Sequence, residues 1–382
     1  DEDGKVYCWG GNSYGGVGIG NSGNYHTNPQ KISIDSSSNQ LPPALQLSTG
    51  THHSCGIFED SNLYCWGYNN YGQLGLGDVS NRNRPVVVQT PGDDLFTDIS
   101  LGYSHSCGII KNGSVYCWGY NDYGQLGDST NDNSNIPVYS QLPSGSKAVA
   151  IPAGYYHNGA IMDNSSVYCW GRNNYGQLGN GNQTNLNIPV HVNIPIGSNP
   201  VQISSSDGHT CTVMDNGSMY CWGDNYYGQV EGPVTENLGT YVYNPTYVST
   251  KFNHKVVSVG TGGAGYTCII TEHAAISCWG RSNYGSLVEL NENKVSKLRY
   301  VISEEYEYSI QPMGWNIQDY SINNLPQGMT MNESKLSINS EANQTGSLSW
   351  IVNTTLGTTQ GTIDYEAMSI DRRPSSAPAW TN

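Results

Sequence analysis

The chain has 382 residues, 46 of them Gly, and 31 Asp+Glu against 16 Lys+Arg give it a formal charge of −15. Such an acid excess argues against nucleic acid as a partner, which needs a basic face, and against an anionic membrane surface. No apolar run approaches the roughly 20 residues of a spanning helix, so no membrane span is expected. No signal peptide is visible either; if the protein is secreted, its signal has been removed before Asp1. The aromatics are lopsided, 28 Tyr and 9 Trp against 3 Phe. Tyr and Trp each join an apolar body to a polar handle, so they suit thin, half-wet sheets better than one dry core. With 41 Asn beside the Gly, many tight turns are expected, and the chain reads as all-β.

In chain order, Cys-Trp-Gly occurs six times, with Cys at 8, 65, 117, 169, 221 and 278, spaced by 57, 52, 52, 52 and 57. A period near fifty residues marks a propeller or array, in which one unit cannot bury its own faces alone. The first copy predicts a strand over 5–10 and an edge strand over 29–34. The copy at Cys117 shows the unit whole. A first strand, Ile99-Ser100-Leu101, ends at Gly102; a second holds His105-Ser106-Cys107-Gly108-Ile109. A turn at Lys111-Asn112-Gly113 leads to a third strand over 115–119. The turn Asn121-Asp122-Tyr123-Gly124-Gln125-Leu126-Gly127 follows, then an edge strand that tolerates Pro137. The same turn recurs at 69–75 and 173–179 and decays at 225–230 and 282–287.

A Gly, a His three residues on, a hairpin, Trp-Gly and then Asn-x-Tyr-Gly-Gln-Leu-Gly together resemble the regulator-of-chromosome-condensation repeat family. The resemblance covers residues 1–302. It implies a β-propeller, usually of seven blades, closed by strands from both termini. The expectation is therefore six or seven four-stranded blades, the first lacking its two inner strands. Those strands could come from the chain after Arg299, from a segment upstream of Asp1, or from a neighbouring subunit in a strand-exchanged polymer. The family's nuclear members act as nucleotide-exchange factors on a small GTPase. Nothing in this sequence supports that role.

Four repeats carry a second Cys ten residues before the first: Cys55–Cys65, Cys107–Cys117, Cys211–Cys221 and Cys268–Cys278. Each pair flanks one hairpin whose midpoint is its turn. The two cysteines therefore face each other on neighbouring strands, within disulfide reach. Reduced core cysteines are the plainer alternative. Zinc would need four converging ligands, and each hairpin offers two. Disulfides would imply an oxidising compartment or an intracellular hyperthermophile, and the expected setting is the former, extracellular or at the cell surface. Cys169 faces Gly159 and is expected to be a free thiol; Cys8 has no partner within the chain and is left unpaired or intermolecular.

From Ser303 the Trp-Gly pattern stops. Short alternating runs around 305–310, 320–322, 335–338, 350–352 and 362–367 predict a small C-terminal β-sandwich-like region over 303–371. Through Leu325-Pro326-Gln327-Gly328-Met329-Thr330 it resembles the immunoglobulin-like modules of prokaryotic surface proteins, although their second Gly-rich turn is absent. A degenerate closing blade is the alternative. Residues 372–382 read as a Pro/Ser-rich tail.

Candidate chemistry is thin. His53, His105, His157 and His209 share one repeat position, taken by Tyr266 in the fifth. They could ring a shaft and hold a metal, but the expected role is a hydrogen bond to each blade's own backbone. No catalytic, cofactor or metal site is assigned. Asp128-Ser129-Thr130-Asn131-Asp132-Asn133 lacks the turn Gly and distal Glu of a calcium loop. N-linked glycans are possible at the sequons Asn112, Asn164, Asn182, Asn216, Asn332, Asn343 and Asn353. The first two and Asn216 share one hairpin tip. The expected function is a non-enzymatic extracellular structural or adhesive protein, partnered by itself through strand exchange or by another surface protein. The alternative is a secreted propeller that grips one protein partner on a ring face, as an inhibitor or receptor does.

Overall fold

The structure is a computed structural model that describes residues 1, 4–34, 41–231, 239–249, 255–263, 265–272 and 276–281, with the backbone of seven strands between 298 and 369. The chain divides into two compact units, Asp1–Leu287 and Val288–Asn382.

In the first unit β1 (Tyr7–Asn12) and β2 (Gly23–Lys31) form a two-stranded sheet. Blade one follows as β3 (Ala44–Thr49), β4 (His53–Phe58), β5 (Leu63–Gly67) and β6 (Arg82–Val87). Blade two is β7 (Phe96–Leu101), β8 (His105–Ile110), β9 (Val115–Gly119) and β10 (Ser134–Tyr139). Blade three is β11 (Ala148–Ala150), β12 (His157–Met162), β13 (Val167–Gly171) and β14 (Leu186–Val192). Blade four is β15 (Pro200–Ser205), β16 (His209–Met214), β17 (Met219–Asn225) and β18 (Thr240–Tyr247). Blade five holds β19 (Val256–Gly262), β20 (Tyr266–Thr271) and β21 (Ile276–Gly280). Each strand pairs antiparallel with the next, so every sheet is a meander.

The expected six or seven blades are thus five among the described residues, four of four strands and one of three. Among the described residues the first Cys-Trp-Gly copy lies in the two-stranded sheet β1–β2, and the other five each supply a strand of one blade. The strand the first copy was expected to form over 5–10 lies at Tyr7–Asn12, and its edge strand, expected over 29–34, is Gly23–Lys31. Its Pro29 is tolerated because an edge strand leaves one side unpaired.

The core lies between blades rather than within one. Strands β4, β8, β12 and β16 are buried along their whole length, because a neighbouring sheet covers each face. The turn Leu of one blade inserts beside the Trp of the next: Leu74 packs with Trp118, Phe96, Ile99 and Leu101. Leu126 does the same beside Trp170, and Leu178 beside Trp222. The Gly that ends each turn has to be Gly for two reasons. Gly75 and Gly127 hold φ of 72° and 69°, and a Cβ there would stand 2.8 Å from the indole nitrogens of Trp118 and Trp170.

In the second unit β22 (Leu298–Ile302), β23 (Tyr306–Ser309), β24 (Ile317–Asn323), β25 (Met329–Asn332), β26 (Lys335–Ile338), β27 (Thr345–Thr354) and β28 (Gly357–Ser369) form two sheets, ordered β22-β28-β27-β24 and β23-β26-β25. Leu298–Ile302, expected at the end of the propeller, pairs parallel with β28 instead. The expected tail at 372–382 and the decayed turn at 282–287 lie outside the described residues, as does Asn343.

Candidate functional site

The repeated His does not bond its own blade's backbone, as the sequence suggested; it reaches the next blade. The Nε2 of His53, His105, His157 and His209 lies 2.9, 2.9, 2.8 and 2.8 Å from the side-chain oxygens of Ser106, Asn158, Thr210 and Thr267. These next-blade groups in turn donate back to a turn carbonyl of the His's own blade: Ser106 to Gln73, Asn158 to Gln125, Thr210 to Gln177 and Thr267 to Gln229. A side chain already donating to that carbonyl can only accept from the imidazole. Each His is therefore the neutral Nε2–H tautomer, and the four rings form inter-blade ties rather than a metal-binding ring. The Trp indoles reinforce them. Trp118, Trp170 and Trp222 donate to the same Gln73, Gln125 and Gln177 carbonyls at 2.9 Å. The faint calcium-like run is a turn of the same kind, with Asp128 Oδ1 accepting from the Thr130 N–H and Asn133 Oδ1 from the Asn121 N–H.

The four cysteine pairs form disulfides, with Cα–Cα separations of 4.1, 4.1, 4.1 and 4.0 Å, each bridging directly opposed residues. Cys169 is buried and free opposite Gly159, and burial holds its thiol well above the usual range. Cys8 is free and half-buried.

Register assigns the loops to two ends. His105 pairs with Gly119 at one end of the β8–β9 hairpin, and Ile109 with Val115 at the other, beside the Asn112 turn. Residues just before the His and just after Cys-Trp-Gly thus share one end in every blade, and that end is tyrosine-rich. Tyr14, Tyr68, Tyr71, Tyr120, Tyr123 and Tyr156 make consecutive ring contacts with centroids 4.6–6.2 Å apart. Tyr120 and Tyr123, at 6.2 Å, are the widest of these neighbours. Tyr103 stacks on Tyr155 at 4.1 Å, and Tyr175 meets Tyr241. Arg172 lies in the middle, its guanidinium carbon 5.4, 5.7 and 5.1 Å from the rings of Tyr123, Tyr156 and Tyr175. Half-buried Asp207 stands beside it, with half-buried Asp224 near Asp207. Burial raises both carboxyls; Arg172 pulls Asp207 back. Burial likewise raises the phenols of Tyr120 and Tyr155, the former also donating to Asp122.

The other end differs in chemistry. Lys5, Lys31, Lys111, Lys147 and Lys255, the lysines of the described residues in the first unit, all lie there, beside the hairpin tips. Exposed Asn112, Asn164 and Asn216 occupy those tips. Asn182 is exposed in the turn after β13; Asn332 and Asn353 lie in β25 and β27. The sequence reading found the sequons but not the tyrosine face. Its signal was present: Tyr68 and Tyr120 directly follow Cys-Trp-Gly, Tyr71, Tyr123 and Tyr175 recur in Asn-x-Tyr, and Tyr103, Tyr155 and Tyr156 stand one or two places before the His.

Radial antiparallel sheets tied side by side, with loops gathered at two ends, define a β-propeller. Residues 1–304 match the RCC1-like domain, and the chain belongs to that family. It is 32% identical over 231 residues to the ultraviolet-B receptor UVR8 of Arabidopsis thaliana, covering 60% of this chain and 51% of that one. It is 26% identical over 301 residues to the human E3 ubiquitin-protein ligase HERC2, covering 78% of this chain and 6% of that one. The chain thus spans about half the length of the first relative and a small part of the second. Among solved structures it resembles yeast RCC1 (Prp20) bound to Kap60, with a TM-score of 0.64, 22% identity and 74% and 67% of the two chains covered. Human WBSCR16 gives a TM-score of 0.65, 21% identity and 75% and 73% coverage. At these identities the likeness is one of fold. RCC1-like propellers are protein-interaction domains.

Proposed function

We propose that this propeller is a secreted or cell-surface binding module that grips one protein partner on its tyrosine face, acting by binding rather than by chemistry. The observation that carries the reading is the division of residue types between the two ends. A run of contacting Tyr rings around Arg172 lies at one end, and the first unit's described lysines all lie at the other. Interface cores are enriched in Tyr and Arg and depleted in Lys, which is costly to immobilise and desolvate. The rings also buttress one another, so little side-chain freedom remains to be lost on binding. Four disulfides support an oxidising compartment. The C-terminal unit, read as an immunoglobulin-like module of such a protein, would serve as a spacer or second contact. The adhesive, self-assembling reading has one observation in its favour: among the described residues β1 pairs on one edge only, with β2.

The test is cross-linking capture from the medium bathing the source cells, followed by titration of the captured partner. Replacing Tyr103 and Tyr155 by Ala is expected to weaken binding at least about 30-fold, the effect of losing a hot spot of roughly 2 kcal/mol, with the melting curve retained. Replacing Lys111 and Asn164 at the other end is expected to change affinity less than about threefold. The reverse pattern would remove the tyrosine face as the site.

In the same setting Asn112, Asn164 and Asn216 are expected to carry N-linked glycans, which would shield the hairpin-tip end and leave the tyrosines clear. Treatment of the native protein with peptide N-glycosidase should lower its mass and convert these three Asn to Asp. Finding all three unmodified in secreted material would end that part of the reading.

A further inference from the structure

The tyrosine contacts differ in kind as well as in place. Tyr103 and Tyr155 stack with centroids 4.1 Å apart and ring planes 28° from parallel. Every other Tyr–Tyr contact among the described residues meets at 44–86°, with centroids 4.6–6.2 Å apart. The stacked pair holds one repeat position, two places before His105 and His157, in blades two and three. That position is Thr51, Asp207 and Ala264 in the other blades, so the stack belongs to one junction. The backbone fixes it there, because the Tyr103 N–H donates to the Tyr155 carbonyl at 3.2 Å. Burial first, and then the Tyr103 phenol beside it, raises the Tyr155 hydroxyl above its usual range, so the two hydroxyls stand at the same end of the stack. The ring carbons ortho to them are therefore neighbours across van der Waals contact.

Two stacked phenols are a place where two one-electron oxidations can end in a bond, and the surrounding rings give a route to it. Tyr71 is 36% exposed, whereas Tyr103 and Tyr155 are half-buried. From Tyr71 the rings of Tyr120, Tyr156 and Tyr103 follow at 5.0, 5.7 and 5.6 Å, and the stack ends the series. An electron can therefore pass outward from ring to ring without the oxidant touching the pair itself. The Tyr120 hydroxyl donates to the Asp122 carboxylate at 2.8 Å, so a base stands ready for the proton that an oxidised phenol releases.

We propose that Tyr103 and Tyr155 are an oxidative cross-linking site, at which hydrogen peroxide and a haem peroxidase join the two rings as dityrosine. The peroxidase is oxidised by the peroxide, which is reduced to water, and it then takes one electron and one proton from each tyrosine. The two phenoxyl radicals couple through the carbons ortho to oxygen, forming one C–C bond. The hydrogen on each of those carbons leaves as a proton while its oxygen regains one, which restores both phenols. Two tyrosines and one peroxide thus give one dityrosine and two waters. The four disulfides each close a single hairpin. This bond would instead join two blades through residues 52 positions apart, a long-loop constraint of the kind by which a cross-link stabilises a fold. The site rests on ring geometry and stands whether or not the face grips a partner.

The experiment treats the dilute full chain with a haem peroxidase and limiting hydrogen peroxide. A monomer lighter by two hydrogens and carrying the blue fluorescence of dityrosine is expected. Digestion should release a cross-linked product that joins the Tyr103 peptide to the Tyr155 peptide. Phe at either position keeps a ring in the stack but has no hydroxyl to oxidise. Tyr103→Phe and Tyr155→Phe should therefore each lower the fluorescence at least about tenfold with the melting curve retained, because the held geometry supplies the coupling rate. Tyr25→Phe should leave the fluorescence unchanged, although Tyr25 is 79% exposed and is the tyrosine that accessibility alone would favour. Cross-links that follow exposure, joining Tyr25 between chains with no Tyr103–Tyr155 product, overturn the inference. So does undiminished fluorescence from either Phe variant at those two positions. No partner is present, so the outcome is separate from that of the capture experiment.

Discussion

Lowered from neutral pH, the propeller is expected to lose stability from about pH 6.5 downward and to unfold before pH 4. The cause is the set of four buried ties. Burial, the largest cause at each, holds the imidazoles of His53, His105, His157 and His209 at pKa values of about 3, 4, 3 and 3. Geometry explains why no proton is accepted. Each Nε2–H is already donated to the next blade, and the Nδ1 atoms of His53, His105 and His157 are buried without an acceptor for a second N–H. In the unfolded chain the same groups titrate near 6.5. Between that value and the folded one, the unfolded state binds protons that the folded state refuses. The stabilisation is therefore complete above about pH 6.5 and declines as pH falls. At pH 5 each His costs about 2 kcal/mol, roughly 8 for the four. That rivals the roughly 5–15 kcal/mol by which a domain is stable. The carboxyls divide. Asp60 and Asp78, held low by hydrogen bonds from Asn62 and Arg82, add to the loss below their unfolded value. Asp207 and Asp224, raised by burial, oppose it. All four are partly or well exposed, so solvent screening keeps them secondary. Far-ultraviolet dichroism from pH 7 to 3 should show a steep transition, with a slope of up to four protons and a midpoint above 4. His105→Gln, which keeps a donor for Asn158, should shallow the slope by about one proton. A chain still folded at pH 3 would refute the ties as the acid-sensitive element.

The repeats made most of the propeller legible. A period of 52 with Cys-Trp-Gly fixed placed β5, β9, β13 and β17, and the ten-residue Cys spacing fixed the register of four hairpins. Blade number escaped because a strand motif counts third strands, whereas a blade also needs inner ones. The His partners escaped for a related reason. A bond from His53 to Ser106 spans 53 residues, one repeat plus one, and the receiving position varies among Ser, Asn and Thr. What that position keeps is an oxygen that accepts and a hydrogen that donates, a property that identity matching overlooks. The turn after the first copy departs from the repeat pattern yet keeps its bonds. Asn12-Ser13-Tyr14-Gly15-Gly16-Val17-Gly18 lacks the Gln, yet Asn12 Oδ1 accepts from the Val17 N–H at 3.1 Å, as Asn69 does from Leu74 at 2.9 Å. The backbone there needs the Asn and the glycines; in the other turns the Gln adds a side-chain oxygen that accepts from the Tyr N–H two residues earlier, whereas its main-chain carbonyl is replaced by that of Gly16, which accepts from Trp66. The tyrosine face was hidden in plain composition. Only the hairpin register brings residues before the His and after the Trp-Gly to one end.

Full reduction of the four disulfides is expected to be the largest loss a single reagent can cause. Each bond closes a hairpin with partners ten residues apart, and constraining such a loop in the unfolded chain is worth about 2.5 kcal/mol, roughly 10 for the four. Chain restriction is the right term here because the thiols left behind stay buried and apolar, so little packing is forfeited. The native protein should resist reductant at first. The cysteines of the first three pairs are fully buried, and a thiolate reaches them only through an opened blade. Once reduced in denaturant and returned to buffer with reductant, the chain should refold poorly or melt tens of degrees lower by calorimetry. A reduced protein that melts within a few degrees of the oxidised one would show that the inter-blade ties suffice without the disulfides. Blade three runs the comparison in the other direction. There Gly159 faces Cys169, and a Cβ at 159 would stand 3.7 Å from its sulfur, with only the terminal methyl of Ile203 crowded at 2.8 Å. Gly159→Cys should therefore form a fifth disulfide, remove the buried thiol from a denatured thiol count and raise stability by about 2 kcal/mol. The gain depends on Ile203 turning its methyl aside. If the bond forms and stability falls, the space beside Ile203 rather than the loop decides why this blade alone among the five goes without a disulfide.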